Sequence, residues 1–342
     1  MINWNTKEAA ALVALQRGIQ YVARPFAAIG KTCGMEESEI VALAQRLLES
    51  GDARRFGSVF DARRLGYRSA LCAMQVPRDQ LARIGAQVAT VPGITHAYER
   101  GWPSELPSDS PGAPGTCQWP NLWFTLVDHA DQFNETLAAL RTACAPYAID
   151  ELPALRRFKI DVVFDLRTRD RDERVEPRAP IKDAAEQITL NTLQKAIVAH
   201  FQGTLPLRPD LFAPLAADLG ITEAALLAQL QQWQDHGIIR RTAILLRHRE
   251  IGFKANGMCC WNVAPETILE TGRRVAAFSE VTHCYERPLT DRFPFRLYAM
   301  IHTPTWEGTQ ALYAHITREA DLPPGQLLLS LTEYKKTSMV FF

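Results

Sequence analysis

Apolar positions recur at helical spacing through the first fifty residues. Leu12, Leu15 and Ile19 define one face of an amphipathic helix over residues 6–22. Pro25 suits the first turn of a second, short helix. After the turn Cys33-Gly34-Met35, the stripe Ile40, Leu43, Ala44, Leu47 and Leu48 predicts a third helix from about Glu36 to Ser50, with Gly51 as its C-cap. Arg54-Arg55-Phe56-Gly57-Ser58-Val59-Phe60 then reads as an extended wing. Three helices and a wing describe a winged helix-turn-helix.

The period then shortens to that of strands. Residues 69–76, 94–100, 121–128 and 157–164 are strand-like, and helices fit residues 78–90 and 131–144. The order β-α-β-β-α-β is ferredoxin-like. Residues 101–120 carry five prolines and three glycines. A loop of that length in a compact domain is either a functional lid or a disordered insertion.

A mixed-charge, proline-bearing linker follows at residues 167–183, and then the same programme runs again. Helices fall within 190–200, 211–219 and 222–236, Gly237 is a C-cap, and Arg240-Arg241 repeats the wing pair Arg54-Arg55. Strands follow at 255–262, 281–287, 296–302 and 331–340. Leu65-Gly66-Tyr67 aligns with Ile251-Gly252-Phe253, and Phe158-Lys159 with Tyr334-Lys335. The fold class is therefore α+β, a tandem duplication of one two-domain unit. Its parts are a winged helix (1–62), a ferredoxin-like domain (63–166), the linker (167–186), a second winged helix (187–248) and a second ferredoxin-like domain (249–342). The two ferredoxin-like domains are expected to pair by their sheets as a pseudo-dimer, with a pocket at each end of the interface.

Composition narrows the function classes. Lys plus Arg and Asp plus Glu both total 38, so no global basic field favours nucleic acid or an anionic membrane. Seven cysteines without a CxxC pair fit reduced thiols better than disulfides or a zinc site. No run reaches the ~18 apolar residues of a membrane span, and residues 1–25 lack a leader pattern. The expectation is a soluble, cytoplasmic protein.

Candidate chemistry centres on a segment that occurs twice. Thr95-His96-Ala97-Tyr98-Glu99-Arg100 returns 187 residues later as Thr282-His283-Cys284-Tyr285-Glu286-Arg287. Strand alternation places His, Tyr and Arg on one face and Thr and Glu on the other. A titratable ring, a phenol and a guanidinium on one face suit a large, flat, polyanionic ligand. The remaining histidines (129, 200, 236, 248, 302 and 315) lie in helix-end, loop or apolar contexts and read as structural.

A winged helix joined to a ferredoxin-like domain resembles the Lrp/AsnC regulators over almost the full chain. The predicted recognition helices argue against DNA binding. One opens with Glu36, Glu37 and Glu39 and offers only Arg46, and its counterpart at 222–236 has no Lys or Arg. A DNA-binding regulator sensing a small ligand or haem, and a tetrapyrrole-binding chaperone without chemistry, stand as the alternatives.

The repeated Thr-His-x-Tyr-Glu-Arg segments, with Asn121-Leu122-Trp123-Phe124-Thr125-Leu126, Phe158-Lys159 and the paired arginines of the wings, are similar to the siroheme decarboxylases of the fused D–L type used in making d-type haem. The same family includes the paired subunits of an alternative haem route. The resemblance implies removal of carbon dioxide from two acetate side chains of siroheme, giving didecarboxysiroheme, with no further organic cofactor and no catalytic metal. The iron belongs to the substrate. It also implies paralogous partner subunits (NirG- and NirH-like), no DNA and no membrane. On this reading His96 and His283 are general acids, an imidazolium being a proton donor near neutral pH. Tyr98, Trp123, Tyr285 and Tyr298 supply walls, and Arg100, Arg287, Lys159 and Lys335 hold rim carboxylates. The wing arginines are expected to hold the wing to the neighbouring domain. Where family members often carry a second histidine, this chain has Gln118, and Arg296-Leu297-Tyr298 replaces Asn121-Leu122-Trp123 in the second half.

Overall fold

Side-chain caps and apolar stripes set the helices. A computed structural model describes residues 5–104, 106–110, 112–113, 119–160, 163, 181–182, 187–247 and 250–342. Gln118, His248 and most of the charged linker lie outside these residues. Asn5 and Glu8 form a reciprocal capping box that starts α1 (Thr6–Arg17), which ends at Gly18, short of the expected residue 22. Pro25 opens α2 (Pro25–Cys33), and Gly34 closes it in the left-handed region at φ 66°. Next comes α3 (Glu37–Glu49). The second half repeats this set as α6 (Thr192–Phe201), α7 (Phe212–Asp218) and α8 (Glu223–Asp235), with Asn191 and Thr222 as capping residues.

The two winged helices share one core. Phe26, Leu43 and Phe56 from the first half pack in the same cluster as Phe201, Phe212 and Trp233 from the second. Their wings, β1 (Ala53–Phe60) and β8 (Ile239–Leu246), pair with each other antiparallel. Each wing thus has one edge covered by the other.

Below them the first half contributes β2 (Tyr67–Met74), α4 (Arg78–Thr90), β3 (Ile94–Gly101), β4 (Leu122–His129), α5 (Phe133–Ala143), β5 (Ile149–Pro153) and β6 (Arg156–Ile160). A two-residue strand, β7 (Ile181–Lys182), pairs with β6. The second half contributes β9 (Ala255–Trp261), α9 (Ile268–Ala276), β10 (Val281–Glu286), β11 (Leu297–Thr303), α10 (Trp306–Glu319) and β12 (Gly325–Lys336). The last strand of each half differs from expectation. It begins earlier and belongs to both halves. Gly325–Leu329 pairs with β9 of its own half, whereas the stretch from Leu329 to Lys336 pairs with β3 of the other half. Likewise β5 pairs with β2, and β6, two residues on, pairs with β10.

Neighbouring strands run β5-β2-β4-β3-β12-β9-β11-β10-β6-β7. Because β5 and β6 are consecutive in the chain, this order closes on itself. The expected pseudo-dimer is thus built by exchange of fourth strands. Helices cover the outside of each half. Inside, Trp123 and Leu152 of one half meet Cys260, Phe293 and Tyr298 of the other.

Residues 101–120 were open between a lid and a disordered insertion, and their described part is a strap across the two halves. Leu106 is buried in the core of the second half, the Gly112 carbonyl accepts from Leu327 N at 3.0 Å, and Trp119 Nε1 donates to Gln326 Oε1 at 2.7 Å.

Candidate active site

The repeated segment forms β3 and β10, and both strands are irregular at the same place. A register shift falls between Ile94 and His96, and another between Val281 and His283. Such a bulge re-aims side chains. The expected alternation, with Thr on the face opposite His, is therefore broken. Thr95 Oγ1 lies 3.0 Å from His96 Nδ1, and Thr282 Oγ1 lies 3.1 Å from His283 Nδ1. The threonine fixes Nδ1 and leaves Nε2 as the nitrogen available to a ligand. At the second bulge Thr282 also donates to the Met300 carbonyl and lies 3.4 Å from His302 Nδ1, so His302 joins the site from β11.

Beyond each imidazole the phenol and guanidinium follow in a stack. The His96 and Tyr98 rings are 6.3 Å apart, with the Arg100 guanidinium 5.3 Å from the Tyr98 ring centre. On the other strand His283 and Tyr285 are 6.1 Å apart, and Arg287 lies 4.8 Å from Tyr285 and 5.7 Å from Tyr298. Arg100 is 7 % exposed and donates to Asn256 Oδ1 of the other half at 3.4 Å. Burial lowers its pKa to about 10, which leaves it cationic at neutral pH. Arg287 donates to the Leu152 carbonyl.

The other expected residues divide. Trp123 is opposite Tyr98, and Tyr298 is opposite Tyr285. Both are buried between the sheets, where Trp123 Nε1 donates to the Pro120 carbonyl at 2.7 Å and the Tyr298 hydroxyl has no partner among the described residues. Lys159 and Lys335 reach main-chain carbonyls just past helix ends. Lys159 donates to Phe278 at 2.7 Å and Lys335 to Val91 at 2.9 Å, where a cation also meets the negative pole of a helix. Lys336, which the sequence did not single out, is the residue opposite His96 on the crossing strand.

Electrostatics brings in the wings. The His96 pKa falls to about 3, through burial first and then through Arg54, Lys336, His283 and Arg100. That of His283 falls to about 4, through burial first and then Arg240, Arg241, Arg287 and Lys159. Both rings are therefore neutral at pH 7, and acting as an acid requires their proton affinity to rise. The two constellations also feel each other. His96 is close enough to His283 for the second ring to bear on it, and arginines of both wings bear on the two rings. The wing arginines were expected only to fasten the wings. Arg55 does so, donating to the Gln202, Gly203 and Ser58 carbonyls. Arg54 and Arg240 instead bear on the imidazoles. The doubled Arg-Arg pair was legible as a repeat, but no spacing rule brings a wing over a strand some forty residues away.

A duplicated winged helix on a duplicated α+β domain, with its cations turned inward, defines an AsnC-like two-domain architecture. Residues 64–159 and 250–335 match the AsnC-like ligand binding domain, and residues 8–54 and 194–240 match the siroheme decarboxylase NirDL-like HTH domain. The chain is 32% identical over 335 residues to the siroheme decarboxylase of Hydrogenobacter thermophilus, covering 97% of this chain and 93% of that protein. It is 30% identical over 295 residues to the siroheme decarboxylase NirDL subunit of Paracoccus pantotrophus, covering 85% and 83%. The crystal structure of the siroheme decarboxylase NirDL superposes with a TM-score of 0.69 at 28% identity, covering 98% of this chain and 94% of that one. A co-complex of that enzyme with an iron-uroporphyrin III analogue gives 0.68, at 28% identity and 97% and 93% coverage. The chain belongs to the siroheme decarboxylase family and is an enzyme.

Proposed function

We propose that this chain is a carboxy-lyase that removes carbon dioxide from two acetate side chains of siroheme, giving didecarboxysiroheme on the route to d-type haem or an alternative haem. The observation that carries the reading is the doubled constellation of imidazole, phenol and guanidinium beneath the wing arginines. Siroheme is a broad apolar disc with an anionic rim, and stacked aromatics ringed by cations match both properties.

In each decarboxylation the bond between the acetate methylene and its carboxylate breaks, and carbon dioxide leaves. The electron pair enters the conjugated macrocycle, and the methylene carbon takes one proton to become a methyl group. The ring is itself the electron sink, so no further cofactor or metal is required. The proton comes from Nε2 of His96 or His283. Burial and the nearby cations hold these rings neutral. Carboxylates arriving with the substrate offset those cations and raise the proton affinity of the imidazoles, so that binding loads the acid. The arginines act on spectator carboxylates, because a tight ion pair on the scissile group would stabilise the ground state. Homologous proteins are named as beta, NirH and NirL subunits of siroheme decarboxylase. Partner subunits of this kind are proposed for this chain too, and a cytoplasmic location is proposed from its reduced cysteines. Among the described residues no helix is long and apolar enough to cross a membrane.

The DNA-binding alternative is disfavoured by the same structure. Arg46, the one basic residue of α3, is paired with Glu8 at 2.7 Å, and the wings are spent on each other. Anaerobic incubation with siroheme followed by mass analysis tests the proposal. Loss of two molecules of carbon dioxide is expected. Unchanged siroheme, with or without the homologous subunits, would overturn it.

A further inference from the structure

The duplication supplies its own control, since each residue on the His96 side has a counterpart on the His283 side. Arg54 corresponds to Arg240, Asp61 to Arg247 and Arg157 to Glu333, by the alignment of the wings and of the crossing strands. On the His283 side the wing arginine is already taken. Asp61 is 5 % exposed and its Oδ2 lies 3.4 Å from Arg240 Nη2, 3.3 Å from Arg157 and 2.7 Å from Arg63. Burial pushes the Asp61 carboxyl up, and Arg240 and Arg63 outweigh that and hold it below its ordinary range. On the His96 side the carboxylate is absent. Arg247 stands where Asp61 would; burial and Arg247 both disfavour the Arg54 cation, and the Tyr98 phenol opposes them. Glu333 is exposed, and among the described residues it makes no ion pair with Arg54. A guanidinium within the field of a second one, and near a buried phenol and an imidazole, is a place where an added carboxylate lowers the energy. The equivalent place on the His283 side already contains one.

On the reading of the chain as a siroheme decarboxylase, we infer that Asp61 is a built-in carboxylate that occupies the wing arginine of the His283 side, so that the rim carboxylates of the macrocycle are received by Arg54 on the His96 side. The two sides are thus unequal. Arg54 orients the ring, while both imidazoles stay available as proton donors.

Iron uroporphyrin, a stable octacarboxylate, is the probe, titrated into the full chain and followed by its absorbance. Arg54→Gln is expected to weaken binding about tenfold or more, the scale of one lost charge-assisted contact. Arg54→Lys is expected to recover part of that loss, which a merely structural role for this exposed side chain would not produce. Asp61→Asn releases Arg240 and is expected to tighten binding or admit a second ring. An affinity indifferent to Arg54→Gln would overturn the inference, as would a folded Asp61→Asn chain with unchanged affinity and stoichiometry. Should Asp61→Asn fail to fold, the Arg54 pair decides alone. A wild-type chain that binds no iron uroporphyrin would sink the tetrapyrrole reading itself, whereas binding that ignores Arg54 sinks only this assignment.

Discussion

His96 and His283 each follow a threonine whose hydroxyl sits on Nδ1, so that Nε2 is the nitrogen left for the proposed proton transfer in both. With two imidazoles and two methylene carbons to protonate, His96→Ala and His283→Ala are each expected to accumulate a ring that has lost one carbon dioxide. The double variant should leave siroheme intact but bound. A missing general acid costs about 10²–10⁴ in rate, and product mass checks it; full conversion by either single variant at the wild-type rate would contradict it. The same rings make stability depend on pH. Unfolding returns them from about 3 and 4 towards 6.5, so between those values the unfolded chain binds more protons than the folded one. Their contribution is present above pH ~6.5 and is lost as pH falls towards the folded values. A His96→Asn, His283→Asn chain should lose stability less steeply over that window in urea titrations at several pH values. The histidines and their partners in the repeat were legible because they recur as a sequence. The bulges and the approach of Arg54 and Lys336 were not, because both depend on contacts between segments far apart in the chain.

Among the elements, the exchanged fourth strands place an aromatic ring of each half against a helix of the other. A Cβ on Gly272 of α9 would lie 2.4 Å from Phe158 Cζ, and one on Gly85 of α4 would lie 2.5 Å from Tyr334 Cε2. Phe158 is 4 % exposed and has nowhere to go, whereas Tyr334 is only partly buried. Gly272→Ala is therefore expected to destabilise by about 1–2 kcal/mol, overpacking exceeding the gain in helix propensity. Gly85→Ala should be near neutral because Tyr334 can swing outward. Urea titration of both variants reads the difference, and equal costs would argue against it. Phe158 and Tyr334 were visible as an aligned pair. That they cross between halves was not, since Ile149-Asp150-Glu151-Leu152-Pro153 carries acids and a proline and does not look like a strand. The proline- and glycine-rich stretch at 101–120 was legible as a loop, and composition alone could not show that Leu106 and Gly112 tie it to the other half.

For the whole molecule, duplication of a winged-helix and ferredoxin-like unit could be read directly from repeated helix stripes, wings and strands. Closure of the two halves into one sheet requires the register of β12 and β6. The two winged helices share one core and pair their wings with each other. A low-salt gel-shift titration against random duplex DNA is expected to show no complex with the steep salt dependence of phosphate contacts. The claim on which the rest depends is that the ring lies beneath the wings and against the imidazoles. Diffraction from crystals of this chain soaked with iron uroporphyrin tests it most directly. The macrocycle is expected to stack near Tyr98, with a rim carboxylate on Arg54 and an acetate within about 3 Å of a histidine Nε2, the reach of a proton donor. A ring held elsewhere, for instance in the surface cleft lined by Lys254, Trp306 and Glu307, with both imidazoles untouched, would contradict it.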